Sequence, residues 1–167
     1  MIKLGIYKCD PLAILPRRGT MHAACWDVHA CLREGTRIQT INSYNETLDR
    51  SIQQDQFEVF PGERVLIPTG LIFEIPEGWS LRLHVRSGTS FKKGLTLTNA
   101  EGVVDADYVQ QTYVSMINLS DISCTIQHGE RVAQMELVPV YDFHVDQLMK
   151  PPLPVSDRKG GFGSTGE

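Results

Sequence analysis

The C-terminal residues Pro154 to Glu167 combine an arginine, an aromatic ring and a Ser-Thr pair with several glycines. A glycine-rich segment loses much conformational entropy when it orders, so we expect this one to be mobile until a ligand engages its side chains together. Phosphate oxygens suit Arg158, Ser164 and Thr165, and a nucleobase presents a flat face to Phe162. The tail therefore indicates a nucleotide-binding arm, and a disordered Gly-Ser terminus is the alternative.

Arg86, Ser87 and Gly88 form a second group that suits a phosphate. They directly follow the predicted strand Trp79–Val85 and place a guanidinium, a hydroxyl and a residue without a Cβ within one turn. Side-chain and backbone donors can therefore converge on one anion. Turns of this composition also end strands without binding a ligand, so a purely structural turn is the alternative.

Carboxylates follow a short Val-Val strand in the segment from Asn99 to Tyr108. Asp105 comes directly after this strand, and an aspartate at a strand end can orient a water molecule for attack on a ligand. A turn held by local Asp and Asn hydrogen bonds is the alternative. A further polar side chain, Gln134, follows the turn at Gly129 and can project into a site.

The elements that must position these residues have the pattern of β-strands. Apolar stretches are short and β-branched, and Gly, Pro, Asn or Asp interrupts them about every eight to twelve residues. Alternation puts Leu81, Leu83 and Val85 on one face of their strand. One candidate helix, at residues 90–93, is too short to form a layer. We therefore predict an all-β sandwich, jelly roll or barrel.

The chain length predicts one domain, with residues 1–150 as the β domain and residues 151–167 as a flexible arm. Residues 33–57 are polar and have weak periodicity. We interpret them as a long excursion between strands that contains a hairpin of its own. Such an excursion can cover a site, extend a subunit contact or bind a regulatory protein.

Charge and composition narrow the possible partners. The formal net charge of −4 argues against nonspecific binding to nucleic acid or membranes, so local groups must hold an anionic ligand. The four cysteines have neither zinc-type spacing nor the density of a disulfide scaffold. No apolar run has the length of a membrane span, and the start of the chain lacks a signal-peptide core. We expect a cytoplasmic protein with reduced thiols.

Taken in chain order, these segments resemble the ordered motifs of the trimeric dUTPase family. The matching segments are Ala23-Ala-Cys-Trp-Asp-Val28, Arg86-Ser-Gly88, Asn99 with Gly102-Val-Val-Asp-Ala-Asp-Tyr108, Gly129-Glu-Arg-Val-Ala-Gln134 and Gly160-Gly-Phe-Gly-Ser-Thr-Gly166. The resemblance implies a jelly-roll-like fold of the β-clip type and a homotrimer whose active sites take motifs from three chains. It also implies hydrolysis of dUTP to dUMP and pyrophosphate.

The resemblance assigns a role to each motif. Asp105 would hold the water that attacks the α-phosphorus in line, and Tyr108 would leave no room for a 2′-hydroxyl. Asn99 and the main chain between Val103 and Tyr113 would recognise uracil, and the tail would close last. The implied substrate-binding residues are Arg86, Ser87, Gly88, Asn99, Val103, Val104, Tyr108, Tyr113 and Gln134 in the domain and Arg158, Phe162, Gly163, Ser164 and Thr165 in the arm.

Magnesium is the cofactor that the resemblance implies. A triphosphate itself supplies the hard oxygen ligands that this ion prefers, and Asp27 would contact the ion through water. A transition-metal site is the alternative, because alternation would place Cys25, Asp27, His29 and Cys31 on one face of a strand. Residues on one face of an extended strand diverge by about 7 Å per repeat, which is too far for several of them to reach one ion.

Two other functions stay open. A related deaminase branch uses a glutamate on the strand before the asparagine that matches Asn118, and Ser115 stands near that position here. A nucleotide-responsive regulatory protein could instead bind dUTP and change its contacts with a protein partner. The chain also departs from the family pattern at Cys25, at Val109-Gln110 and in the short spacing from Arg158 to Gly160.

Overall fold

The structure is a computed structural model, and it describes residues 2–157. Within this range the chain forms thirteen strands and one short helix, which confirms the all-β prediction. No helix in this range is long and apolar enough to cross a membrane. The elements are β1 (Gly5–Lys8), β2 (Trp26–His29), β3 (Arg37–Ile41), β4 (Thr47–Ser51), β5 (Gln56–Val59), β6 (Arg64–Pro68), β7 (Leu71–Glu74), β8 (Trp79–Val85), α1 (Ser87–Lys93), β9 (Leu95–Leu97), β10 (Gly102–Val104), β11 (Tyr113–Asn118), β12 (Cys124–Gln127) and β13 (Arg131–Pro139).

The described strands form four antiparallel sheets. One sheet has the order β10-β8-β13-β2, and a second has the order β4-β3-β6-β11-β9. Two-stranded sheets pair β1 with β7 and β12 with β5. Strands far apart in the chain, such as β2 and β13, are direct neighbours, so the fold depends on long-range pairing.

The two larger sheets contribute to one hydrophobic core. Leu81 and Leu83 of β8 are buried and Val85 packs against the same core, which confirms the alternation expected from the sequence. Ile67 of β6 and Met116 of β11 are fully buried in the five-stranded sheet. Because side chains alternate along a strand, the opposite face of the four-stranded sheet is left for polar residues. That face carries much of the candidate site.

Residues 33–57 contain the predicted hairpin, formed by β3 and β4. Strand β3 also pairs with β6, so the hairpin extends the five-stranded sheet at its edge. Ile38, Ile52 and Phe57 are buried in the core. Much of this excursion is therefore packed into the domain.

Residues 140–157 follow β13 without further helix or strand. Tyr141, Phe143 and Val145 alternate with polar residues and are 78%, 83% and 78% exposed. An extended segment with one apolar side has the pattern of a half-buried strand, yet the single chain leaves that side uncovered.

Candidate active site

Three polar residues form a row across the four-stranded sheet. Asp27 on β2 lies opposite Gln134 on β13, and Gln134 lies opposite His84 on β8. Directly opposed residues of antiparallel strands project on the same face. The three side chains are half-buried and lie on the side away from the core. Two of the predicted site residues, Asp27 and Gln134, are thus brought together from opposite ends of the domain.

Asp27 links two arginines on this side of the sheet. Its Oδ1 accepts a hydrogen bond from Arg86 Nε at 2.8 Å, and its Oδ2 accepts one from Arg131 Nη1 at 3.2 Å. The Asp27 side chain is only 15% exposed, so water and salt screen these contacts little. The carboxylate orients the Arg86 guanidinium and leaves other N–H donors for a ligand. We call this side of the sheet, with Asp27, His84, Arg86, Arg131 and Gln134, the charged face.

Ser87 and Gly88 are the first residues of α1. Arg86 is the N-cap, and its carbonyl accepts hydrogen bonds from the backbone N–H groups of Thr89 and Ser90. The first N–H groups of a helix have no intrahelical partner, so those of Ser87 and Gly88 are available to an anion. A Cβ added at Gly88 would meet no heavy atom within 4 Å, so the space in front of this backbone is open.

A small cavity of about 80 Å³ lies beside β10 and β11. Four predicted substrate-binding residues line it, and its walls are mostly apolar. Ser115, which also lines it, shares a hydrogen bond of 2.6 Å between its hydroxyl and that of Thr98. Within the described part of the chain, no carboxylate is a lining residue. The full lining is Leu83, Leu97, Asn99, Gly102, Val103, Val104, Tyr113, Val114 and Ser115.

Asp105 directly follows the cavity-lining strand β10. Its side chain is exposed and forms no hydrogen bond or ion pair with any other residue in the range 2–157. Its backbone carbonyl accepts a hydrogen bond from the Tyr108 N–H at 3.1 Å, and Tyr108 Oη donates to the Gln111 carbonyl at 3.0 Å. This turn holds both residues at the end of β10, and no side chain of the described range occupies the place of a water or a ligand at the carboxylate.

The cavity side and the charged face place their key residues at opposite ends of β8. Val104 pairs with Leu81, so Asp105 comes beside the start of β8, whereas Arg86 follows its end. Strand β8 has seven residues, which corresponds to about 20 Å in an extended strand. Asp105 and Arg86 of one chain therefore do not converge on one triphosphate.

His29 lies two residues after Asp27 on the same strand. Its Nδ1 is buried and has no hydrogen-bond partner among the described residues. Burial lowers the pKa of His29, the Asp27 carboxylate opposes this, and the charges of Arg131, Arg17 and Arg86 add to the lowering. The ring is therefore neutral at pH 7.

The surroundings of Asp27 do not suit the transition-metal alternative. Burial, with the charges of Glu136 and Asp27, raises the pKa of the Cys25 thiol, and burial raises the pKa of Cys31 to about 11. Protonated thiols are poor metal ligands. Within residues 2–157, no three His, Cys, Asp or Glu side chains are grouped so that they could hold a metal ion.

The structure distributes the predicted site residues over two places. Arg86, Ser87, Gly88, Gln134 and Asp27 belong to the charged face or its edge, and the others of the domain surround or follow the cavity. The sequence around Glu130-Arg-Val predicts a structural ion pair or a subunit contact for Arg131, and the structure contains its ion pair with Asp27. The position of Ser115 in the cavity wall has no local signal in the sequence, because only strand pairing reveals its neighbours. The predicted arm residues Arg158, Phe162, Gly163, Ser164 and Thr165 lie outside the described residues.

Comparison with known proteins bears on both fold and family. The family model described as dUTPase matches residues 47–166. A deoxyuridine 5'-triphosphate nucleotidohydrolase of Brucella melitensis is 39% identical over 132 residues, which are 77% of this chain and 82% of that protein. Another, from Rhizobium rhizogenes, is 37% identical and covers 91% of this chain and 85% of its own length.

Solved structures show the same architecture. The crystal structure of dUTPase from Streptococcus mutans has a TM-score of 0.65 and 27% identity, covering 85% of this chain and 98% of its own. The dUTPase of Staphylococcus bacteriophage 80alpha, solved with dUPNHPP, has a TM-score of 0.75 over 99% of both chains at 24% identity. These likenesses confirm the jelly-roll-like β-clip fold, and the relatives confirm the enzyme class, a dUTP diphosphatase. The chain belongs to the dUTPase family.

Proposed function

We propose that the protein hydrolyses dUTP to dUMP and pyrophosphate by in-line attack, on the α-phosphorus, of a water that Asp105 orients. The position of Asp105 carries this proposal: its carboxylate, which has no hydrogen bond or ion pair within residues 2–157, directly follows the strand that lines the cavity. A carboxylate that no protein group occupies can accept a hydrogen bond from water and hold it for attack.

The cavity supplies the nucleoside end of the proposed site. Asn99 and the main chain of β10 and β11 would pair with the edge of uracil, and Tyr108 would lie against the deoxyribose. Cytosine would leave the site's buried polar groups unpaired, which is worth on the order of 10⁴-fold in discrimination. The lining contains no carboxylate within the described chain, so hydrolysis is favoured over deamination.

The charged face supplies the phosphate end. Phosphate oxygens would be bound by the Arg86 guanidinium, the Ser87 hydroxyl, the backbone N–H groups of Ser87 and Gly88, and the Gln134 amide. The arm would complete the site, with Phe162 over the base and other arm residues on the terminal phosphates. These phosphate-binding residues are Arg158, Ser164 and Thr165, and Gly163 is a further substrate-binding residue of the arm.

Asp27 fits the outer shell of a magnesium ion. An ionised carboxylate has about four lone-pair sites. Arg86 and Arg131 occupy one site on each oxygen, so each oxygen keeps another for a metal-bound water. Magnesium bound to the triphosphate would neutralise charge on the leaving pyrophosphate. In this arrangement Asp27 orients water and does not ligate the ion itself.

The proposed assembly is a homotrimer, and the separation along β8 supports sites that are shared between its chains. Because Asp105 and Arg86 of one chain lie about 20 Å apart, one substrate can contact both only when they come from different chains. The uncovered apolar side of residues 140–149 also suits a segment that packs on a neighbouring chain. The proposed site therefore joins the cavity of one chain to the charged face of another.

Pyrophosphate release from dUTP, dCTP, dTTP and UTP with magnesium tests the proposed reaction. We expect release from dUTP alone, and about a 10³-fold loss in Asp105→Asn with binding retained. Asp107→Asn, which changes an exposed carboxylate in the same turn, is the matched control. Equal turnover of dCTP would contradict the proposed base recognition. Binding of dUTP without any turnover would favour a nucleotide-responsive regulatory protein.

Mixed oligomers test the shared site. Asp105→Asn and Arg86→Gln should each be inactive, and co-expressed chains with separate tags should recover about a quarter of the wild-type activity, because random assembly pairs two intact halves in that fraction of sites. A site within one chain would recover no activity in the mixture. Each variant alone serves as the baseline.

A further inference from the structure

Arg17, which lies outside the family motifs, extends the charged face by one residue. Arg17, in the loop before β2, forms an antiparallel bridge with Asp27, and the Asp27 N–H donates to the Arg17 carbonyl at 2.8 Å. Asp27 in turn lies opposite Gln134, and Gln134 opposite His84. Because directly opposed residues project on the same face, Arg17 continues this row at the open edge of the sheet.

The next residue in the chain, Arg18, lies on the opposite face of the sheet. The Arg18 guanidinium lies 5.3 Å from the centre of the Trp26 ring. Trp26 lies opposite Met135, whose side chain is buried in the core, so Trp26 and Arg18 belong to the face opposite to Asp27. The two adjacent arginines therefore serve different faces of the sheet.

The Arg17 side chain is exposed and forms no hydrogen bond or ion pair with another residue in the range 2–157. By contrast, Arg86 and Arg131 are both held by Asp27. The charges of Arg131, Arg17 and Arg86 all lower the pKa of His29, which agrees with three guanidinium groups around one ring. Asp27 is one carboxylate beside three guanidinium groups, and the Glu136 carboxylate on the same face contacts His84 at 3.0 Å, at the other end of the row. Positive charge therefore exceeds negative charge around Arg17, and this end of the row attracts an anion.

We propose that Arg17 is a further phosphate-binding residue, which contacts the β- or γ-phosphate end of the triphosphate bound on the charged face. This inference rests on the proposed function, because it takes the ligand to be the triphosphate that Arg86 and Gln134 bind. Arg17 lies before residue 47, where the match to the family model begins. A planar guanidinium can bind two phosphate oxygens at once, which a lysine cannot do.

Binding measurements on the full chain test this role. The ligands are a non-hydrolysable imido analogue of dUTP, dUMP and inorganic tripolyphosphate, and the variants are Arg17→Gln, Arg17→Lys and Arg18→Gln. Arg17→Gln should weaken the analogue and tripolyphosphate by roughly tenfold and leave dUMP unchanged. Arg17→Lys should recover part of the affinity because it keeps the charge. Arg18→Gln, the matched control on the other face, should leave all three affinities unchanged.

Two results would overturn the proposal: an unchanged affinity for the analogue in Arg17→Gln, or an equal loss for dUMP, which would indicate a structural role. Pyrophosphate release by the wild type separates this inference from the proposed function. Turnover of dUTP with no Arg17 effect rejects only the Arg17 site. Binding of tripolyphosphate that depends on Arg17, without turnover of dUTP, supports the anion site and rejects the proposed reaction.

Discussion

The charged face and the cavity beside β10 and β11 are built in different ways. On the charged face, polar groups hold one another, since Asp27 binds both Arg86 and Arg131. The cavity has mostly apolar walls, and the Asp105 carboxylate next to it has no hydrogen bond or ion pair within residues 2–157. Ion pairs organise the first region, whereas the shape of two strands and their turn organises the second.

This difference indicates how each region treats its part of the ligand. Donors that are held in place before binding stabilise phosphate charge without reorganisation. A small cavity with few polar groups selects a base by fit, because a wrong base leaves buried groups unpaired. Substitutions in one region should therefore affect one end of the nucleotide and spare the other.

The largest effect on the charged face is expected from Asp27→Asn. The amide keeps the shape but removes the charge that orients Arg86 and Arg131, so kcat should fall on the order of 100-fold. Affinity for the imido analogue without magnesium should not decrease, because the loss of a carboxylate leaves more positive charge near the phosphates. Steady-state kinetics and calorimetric titration in EDTA measure the two quantities.

Asp121→Asn is the matched control for this change, because Asp121 is exposed between β11 and β12. It should alter neither kcat nor affinity. Asp27→Asn could instead reduce the affinity in EDTA as strongly as it reduces kcat. The carboxylate would then act by keeping the charged face folded, and the interpretation that it acts by orienting Arg86 and Arg131 would be wrong.

The cavity should respond to Gly102→Ala. An added Cβ would lie 2.9 Å from Leu83 Cβ, so β10 would have to move away from β8. We expect the free energy of unfolding to fall by about 1–3 kcal/mol. The KM for dUTP should rise roughly tenfold, and the affinity for tripolyphosphate should stay unchanged. A weaker affinity for tripolyphosphate would show that the two regions are not independent.

Gly88→Ala makes the same chemical change at the edge of the charged face, with the opposite expectation for stability. The space around Gly88 is open and alanine favours a helix by up to about 1 kcal/mol, so the unfolding midpoint should be equal or higher. Affinity for tripolyphosphate should fall by up to about tenfold, because a methyl group would stand in front of the backbone donors. Unchanged affinity would remove Gly88 from the phosphate-binding residues.

Local patterns in the sequence predicted the local structure of both regions. Alternation identified Leu81 and Leu83 as core residues, and the weakly periodic segment 33–57 does contain its hairpin. The predicted short helix is present but begins at Ser87, because the Arg86 carbonyl already accepts the first helical hydrogen bonds. These features depend on neighbours in sequence, which a single chain displays directly.

The arrangement of the candidate site could not be predicted in the same way. Alternation shows which face a residue occupies but not which strand lies beside it, and long-range contacts determine that register. The pairing of Asp27 with Gln134, and the bridge from Arg17, therefore had no local signal. The roles of the motif residues came from the family resemblance, and periodicity alone indicated only strands and turns.

The smallest expected effect is an acid sensitivity that belongs to the charged face. Burial lowers the pKa of His29 below its ordinary value of 6.5, because a buried ring is harder to charge. Between 6.5 and that lowered pKa, the unfolded chain binds more protons than the folded protein. The contribution of His29 to the free energy of unfolding should therefore be fully present above pH 6.5 and be lost as the pH falls through the lowered pKa. This single group contributes at most about 1.4 kcal/mol per pH unit.

Urea unfolding of the wild type and of His29→Gln at pH 7.5 and 5.5 measures this contribution. The variant should lose less stability on acidification, because glutamine does not take up a proton. His22→Gln is the matched control, since His22 is exposed in the loop before β2 and should keep the wild-type difference. Equal acid sensitivity in the wild type and His29→Gln would place its source outside the charged face, and the two regions would then not differ in their response to pH.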